Sequence, residues 1–125
     1  MPPKGRILLA EDTVANVALY RTVLERGGFA VEVAEHGVEA AEKGASGGFD
    51  LILMDLGLPR IDGFEALERI RAAGVVVPVV PLTADDDAKT RRICEEAGMV
   101  GFLTKPLSPA ELLKTVAQLI AKHAA

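Results

Sequence analysis

The sequence predicts an α/β fold: a doubly wound, five-stranded parallel sheet with five helices distributed over its two faces. Three observations carry that prediction. Short aliphatic runs recur at Ile7–Ala10, Ala30–Ala34, Leu51–Met54, Val75–Leu82 and Val100–Leu103, with longer stretches of helical spacing between them. The runs are nearly continuous in apolar residues, as strands buried on both faces require. At 125 residues the chain has the usual size of one domain, and right-handed crossovers then leave the doubly wound open sheet as the commonest arrangement.

The elements follow in order. The first run leads into Glu11 and Asp12, then into a helix carrying Val17, Tyr20 and Leu24 that Gly27-Gly28 stops. After Ala30–Ala34, a second helix runs from about Gly37 to Ala45 and ends in a Gly-rich turn. Leu51–Met54 ends on Asp55, and the Leu56-Gly57-Leu58-Pro59 that follows is turn chemistry. A third helix starts near Asp62, with Phe64, Leu67 and Ile70 before Gly74, and a fourth spans about Asp86 to Ala97 before Gly98. The last opens at "SPAELL", with Ser108 as N-cap, Pro109 at the first helical position and Glu111 completing a capping box.

Bulk properties exclude several classes. A net charge of −4, a pI near 5.2, no tryptophan and the single Tyr20 argue against a nucleic-acid binder. One cysteine, Cys94, leaves no internal disulfide framework and fits a reducing compartment. The apolar run after "MPPKGR" is too short for a signal peptide, and no later run approaches a membrane span. The expectation is a soluble cytoplasmic protein with no membrane or nucleic-acid partner.

In a doubly wound sheet the site lies outside the carboxyl ends of the strands. Strand one ends on Glu11 and Asp12, strand three on Asp55, strand four on Thr83 and Ala84, strand five on Lys105 and Pro106. The fold gathers these ends at one rim. Two carboxylates at ~4 Å repel by about 4 kcal/mol at an effective dielectric near 20. A hard divalent cation removes that repulsion, and carboxylates with a backbone carbonyl suit magnesium. Gly57, lacking a side chain, would let its carbonyl approach such a metal closely. One carboxylate could then attack an incoming phosphoryl group while Lys105 and Thr83 hold its oxygens. Singly, each residue has a plainer reading: Asp12 or Asp62 as a turn or helix cap, Thr83 as the N-cap before "ADDD", Lys105 as a surface charge. Together at one rim they read as a site. His36, at the start of the second helix, is expected away from the acids, His123 lies near the chain end, and Cys94 reads as a packed thiol.

The ordered segments "ILLAEDTVAN", "DLILMDLGLPRIDGFE", "VPLTA" and "GFLTKPLSPAELL" resemble the receiver domain of two-component response regulators over about residues 4–121. The resemblance implies a flavodoxin-like sheet of strand order 2-1-3-4-5. It implies Asp55 as phosphoacceptor, fed by a histidine kinase or a histidine phosphotransfer protein. Mg2+ or Mn2+ would be bound by Asp12, by Glu11 through water, by Asp55 and by the Gly57 carbonyl. Lys105 would contact the phosphoryl group, before a cis peptide to Pro106. Thr83 would move toward the phosphate, aided by the Ala84 N–H, and Phe102 would be the aromatic switch. The fourth helix, fifth strand and fifth helix would present the output face to a downstream protein, as a monomer or a phosphorylation-linked dimer.

Phe102 lacks the hydroxyl of the tyrosine frequent at that position, so a switch there must work through packing. Pro81 removes a ladder donor inside an inner strand. "EDTVAN", with Asn16, also resembles receivers attached to hybrid histidine kinases, beside the chemotaxis-type single-domain regulators. The expectation is one receiver domain over residues 1–125 with no output domain, and no enzymatic activity beyond its own phosphorylation and dephosphorylation. The competing readings are a phosphorylation-independent interaction module of the same fold and, further off, a phosphatase on a related sheet.

Overall fold

The computed structural model describes residues 2–124. Strands β1 (Arg6–Ala10), β2 (Ala30–Ala34), β3 (Leu51–Asp55), β4 (Val79–Thr83) and β5 (Leu103–Thr104) alternate with helices α1 (Val14–Arg26), α2 (Gly37–Ser46), α3 (Gly63–Ala72), α4 (Ala88–Glu96) and α5 (Pro109–His123). The strands form one parallel sheet in the order β2-β1-β3-β4-β5.

Because side chains alternate along a strand, each inner strand feeds two cores. Leu8, Ala10, Ile52 and Met54 face Ala40, Ala41, Ala66, Leu67, Ile70 and Cys94, on the side of α2, α3 and α4. Ile7, Leu9, Leu51, Leu53, Val80 and Leu82 face Tyr20 and Leu24 of α1 and Leu112 and Val116 of α5. Every residue of β3 is buried, which explains why its apolar run shows no alternation. Polar side chains set four helix starts: His36, Asp62, Asp87 and Ser108 accept from Glu39, Glu65, Thr90 and Glu111 N–H groups. The cap of α4 is thus Asp87 rather than Thr83.

Two strands are shorter than their apolar runs. Residues 75–78 stay outside β4: Val76 is 84% exposed, and pairing to β3 begins where the Pro78 carbonyl accepts from Ile52 N–H. β5 covers two residues rather than the run from Val100. The Val79 and Thr83 carbonyls accept from Val100 and Lys105 N–H groups, whereas the Leu82 carbonyl accepts from Leu56 N–H. Alternation therefore turns Pro81 toward β5, so the donor it lacks is missing from that ladder. Gly101, at φ +65, breaks the run further.

The β3–α3 loop is anchored on α2. Gly37 N–H donates to the Pro59 carbonyl, and a Cβ on Gly37 would lie 1.9 Å from the Ile61 carbonyl oxygen. Only glycine admits that approach. The loop that follows Asp55 is fixed by it.

Candidate functional site

Register assembles the site. Ala10 pairs with Met54, so Glu11 emerges level with Asp55; Asp55 pairs with Leu82, so Thr83 lies one step further; Thr83 pairs with Thr104, and Lys105 follows. Backbone bonds continue beyond the strands: Glu11 N–H to the Ala34 carbonyl at 3.0 Å, and Lys105 N–H to the Thr83 carbonyl at 2.8 Å. The peptide between Lys105 and Pro106 is cis.

The Lys105 ammonium sits between two acids. Nζ donates to Glu11 Oε1 and Oε2 at 2.8 and 3.0 Å and to Asp55 Oδ2 at 2.8 Å. Asp55 Oδ1 accepts from Gly57 N–H at 2.9 Å. Glu11 is fully buried and Asp55 only 8% exposed, whereas Asp12 lies in the open. Asn16 Nδ2 donates to Glu11 Oε1 at 2.6 Å.

These contacts separate the two buried acids. Burial, then the neighbouring Asp55, pushes the Glu11 carboxyl above its usual range, outweighing Lys105 and Asn16. Burial pulls Asp55 the same way, but the Glu11 carboxyl, Lys105 and the Gly57 N–H together hold it below its usual value. Asp55 is the stronger acid of the pair, because it is the less buried and has a backbone donor of its own. Burial disfavours the charged Lys105, yet Asp55 and Glu11 outweigh that and raise its pKa.

Oxygens of Glu11, Asp12 and Asp55 lie within 4.8 Å of one another. Three carboxylates and one ammonium leave a formal charge of −2, which one divalent cation balances. An all-oxygen donor set with one member open to solvent fits magnesium or manganese. Gly57 is exposed, and a Cβ there would meet only Asp55 Oδ1 at 3.7 Å, so space alone does not demand glycine at this position.

The other expected residues lie around this cluster without touching it. Thr83 Oγ1 accepts from Asp85 N–H at 3.0 Å, a local turn at the end of β4, and Ala84 is exposed beside it. Phe102 is half-buried against the α2–α3–α4 core. The Arg91 guanidinium lies 4.3 Å from its ring centroid, and Arg91 Nε donates to Asp86 Oδ1 at 2.7 Å. His36 caps α2, His123 stands beside the Leu119 carbonyl, and Cys94 is a packed thiol at 1% exposure. Sequence reasoning gave no role to Asn16 or Arg91. For Asn16 a signal existed, since asparagine ranks well below the alanines that flank it in "VANVALY" as a helix former; for Arg91 none did.

A doubly wound sheet that gathers three carboxylates, a lysine and a threonine at its carboxyl rim defines the receiver class of signalling domain. The chain belongs to the response regulator receiver domain family, which matches residues 7–117. It is 37% identical over 131 residues to hybrid signal transduction histidine kinase B of Dictyostelium discoideum, covering 94% of this chain and 6% of that protein. It is 37% identical over 115 residues to the transcriptional regulatory protein ResD of Bacillus subtilis, covering 92% of this chain and 48% of that one. The chain thus spans less than half the length of either relative. Among solved structures, the receiver domain of sensor histidine kinase PA1611 from Pseudomonas aeruginosa has a magnesium ion coordinated in its active-site cleft. It matches with a TM-score of 0.85 and 35% identity over 94% of this chain and 98% of that one. A chain in the co-crystal structure of the Saccharomyces cerevisiae phosphotransfer protein Ypd1 and the receiver domain of Ssk1 matches with a TM-score of 0.90. Its identity is 30%, over 100% of this chain and 94% of that one.

Proposed function

We propose that Asp55 accepts the phosphoryl group and that the chain is a magnesium-dependent switch of a two-component phosphorelay. The observation that carries this reading is Asp55 itself, a nearly buried carboxylate held as an anion, bonded to Lys105 on one oxygen and to Gly57 N–H on the other. Such an oxygen is a nucleophile toward phosphorus. It forms the new O–P bond as the P–N bond of a phosphohistidine breaks; the imidazole leaves with that electron pair and takes a proton from solvent. Glu11, Asp12, Asp55 and the Gly57 carbonyl would hold Mg2+ or Mn2+, which when bound neutralises charge on the phosphoryl oxygens. Lys105 transfers its ammonium from the carboxylates to a phosphoryl oxygen, and the Thr83 hydroxyl and Ala84 N–H approach from the end of β4. Phe102 answers the movement of Thr83 through packing, and the α4–β5–α5 face then changes its fit to a downstream protein. The donor is a histidine kinase or a histidine phosphotransfer protein, a reading supported by the likeness to the Ypd1–Ssk1 co-crystal chain.

The test is incorporation of phosphate from acetyl phosphate with Mg2+, read by intact mass. Wild type should gain one phosphoryl group and Asp55→Asn none. Undiminished incorporation in the variant would move the acceptor elsewhere. No incorporation in wild type, with no beryllofluoride-induced amide shifts, would sink the switch.

A further inference from the structure

Glu11 is the most enclosed charge in the site, and the proposed chemistry draws on the lysine that is its main partner. The ammonium of Lys105 has three hydrogens, and three contacts use them: both oxygens of Glu11 and one of Asp55. Any bond from Lys105 to a phosphoryl oxygen is therefore taken from a carboxylate. Asp55 keeps its Gly57 N–H. Glu11, with no exposed surface, has Asn16 Nδ2 at 2.6 Å as the donor that a movement of Lys105 leaves in place.

Asn16 stands third in α1 and reaches back to the acid that ends β1. Alanine would suit that helical position better, so the residue type follows from the contact rather than from the helix. The chemistry of the contact is specific. An amide donates without adding charge, so the contact orients Glu11 and does not compete with a cation for it. A lysine or arginine there would compete with the cation, an aspartate would repel Glu11, and an alanine would leave it bare.

We infer that Asn16 is a positioning residue, holding the Glu11 carboxyl group in place for the metal after Lys105 has turned to the phosphoryl group. This rests on the phosphoacceptor reading above. In the metal-free chain Lys105 satisfies Glu11, so Asn16 matters little; in the phosphorylated state it is the acid's remaining protein donor.

The test compares the full chain with Asn16→Ala and Asn16→Asp. Mg2+ affinity, and the affinity for beryllofluoride in saturating Mg2+, are read from amide shifts of Gly57 and Ala84; melting is followed in EDTA. Asn16→Ala should weaken Mg2+ binding about 3-fold and beryllofluoride binding about 10-fold, as loss of a bond to a buried charge implies. Its melting temperature in EDTA should equal or exceed that of wild type. Asn16→Asp should bind beryllofluoride more weakly than Asn16→Ala. Beryllofluoride affinity within about twofold of wild type in Asn16→Ala would overturn the inference and leave Asp55 as acceptor. So would a fall in EDTA melting temperature with equal losses for both ligands, which marks a merely structural role. Absence of beryllofluoride binding in wild type would instead remove the reading on which the inference rests.

Discussion

Replacing Lys105 by methionine keeps most of the side chain's length and removes the cation that bridges Glu11 and Asp55. Three charge-assisted hydrogen bonds of 2.8–3.0 Å disappear, leaving a fully buried acid facing one that is 8% exposed. Two bare carboxylates at ~4 Å would repel by about 4 kcal/mol at a dielectric near 20, but Glu11 can escape by taking a proton. Neutralising a carboxyl of ordinary pKa 4.5 at pH 7 costs about 3.4 kcal/mol at ~1.36 kcal/mol per unit. It costs less here, because burial and Asp55 have already moved Glu11 upward. The expected destabilisation is about 2–3 kcal/mol, or roughly 8–12 °C at ~4 °C per kcal/mol for a domain of this size.

Magnesium makes the prediction discriminating. The ammonium and the metal compete for the same oxygens, so Lys105→Met should bind Mg2+ more tightly than wild type. At ~100 times Kd the ion adds about 2.7 kcal/mol of stability. Melting followed by circular dichroism in EDTA and at one fixed, subsaturating Mg2+ concentration should show a large deficit in EDTA that Mg2+ narrows. Melting within about 2 °C of wild type in EDTA, or an equal Mg2+ increment in both proteins, would refute the argument.

Three further predictions rest on the same geometry. In EDTA, Glu11's raised folded-state pKa lends stability that is full below its ordinary 4.5 and is lost as pH rises through the raised value. Asp55's lowered pKa lends stability present above its ordinary 3.8 and lost as pH falls through the lowered value. Relative to Glu11→Gln, wild type should therefore gain most in mildly acidic buffer and lose that gain toward pH 8; a difference flat in pH would refute the assignment. Gly57→Ala should fold and still bind Mg2+, since the added Cβ meets only Asp55 Oδ1 at 3.7 Å; calorimetric titration checks this, and lost binding would show that the bare backbone is required. Arg91→Ala removes a cation–π contact worth about 0.5–1 kcal/mol at an exposed site and a surface ion pair of similar or smaller worth. Freed from the ring and from Asp86, Phe102 and the β4–α4 loop should rearrange more easily. Beryllofluoride affinity should rise about 3–10-fold, and an unchanged value would show that Arg91 does not restrain the ring.

The layered architecture was legible because its causes are local. Apolar runs of strand length, glycine stops and polar caps each act within a few residues, and the topology then follows from few allowed connections. The misjudged boundaries come from partners that lie far off in sequence. Val75–Val77 reads as strand, yet residues 75–78 stay outside β4, whose pairing to β3 begins at the Pro78 carbonyl. β5 is cut to two residues by Pro81, on a neighbouring strand, whose missing donor faces it. The proline was visible in the sequence. Which neighbour it would face was not, because that depends on the parity of a ladder that only the assembled sheet defines.

The site divides along the same line. Glu11, Asp12, Asp55 and Lys105 could be placed together because each ends a strand and a parallel sheet brings those ends level. The bond from Asn16 to Glu11, and that from Arg91 to Asp86 nearby, could not, since each depends on side-chain reach across a loop. Thr83 shows why that matters. Its hydroxyl does not point into an idle rim; it accepts from Asp85 N–H at 3.0 Å and so helps fold the β4–α4 loop over itself. Drawing Thr83 to a phosphoryl oxygen would exchange that bond for another, against a net contribution of about 0.5–1.5 kcal/mol. A charge-assisted bond to a phosphoryl oxygen is worth roughly twice a neutral one. The exchange is favourable when phosphate is present and unfavourable when it is absent, and the Arg91–Asp86 pair and the Asp87 cap are further bonds that restrain the loop as Thr83 moves.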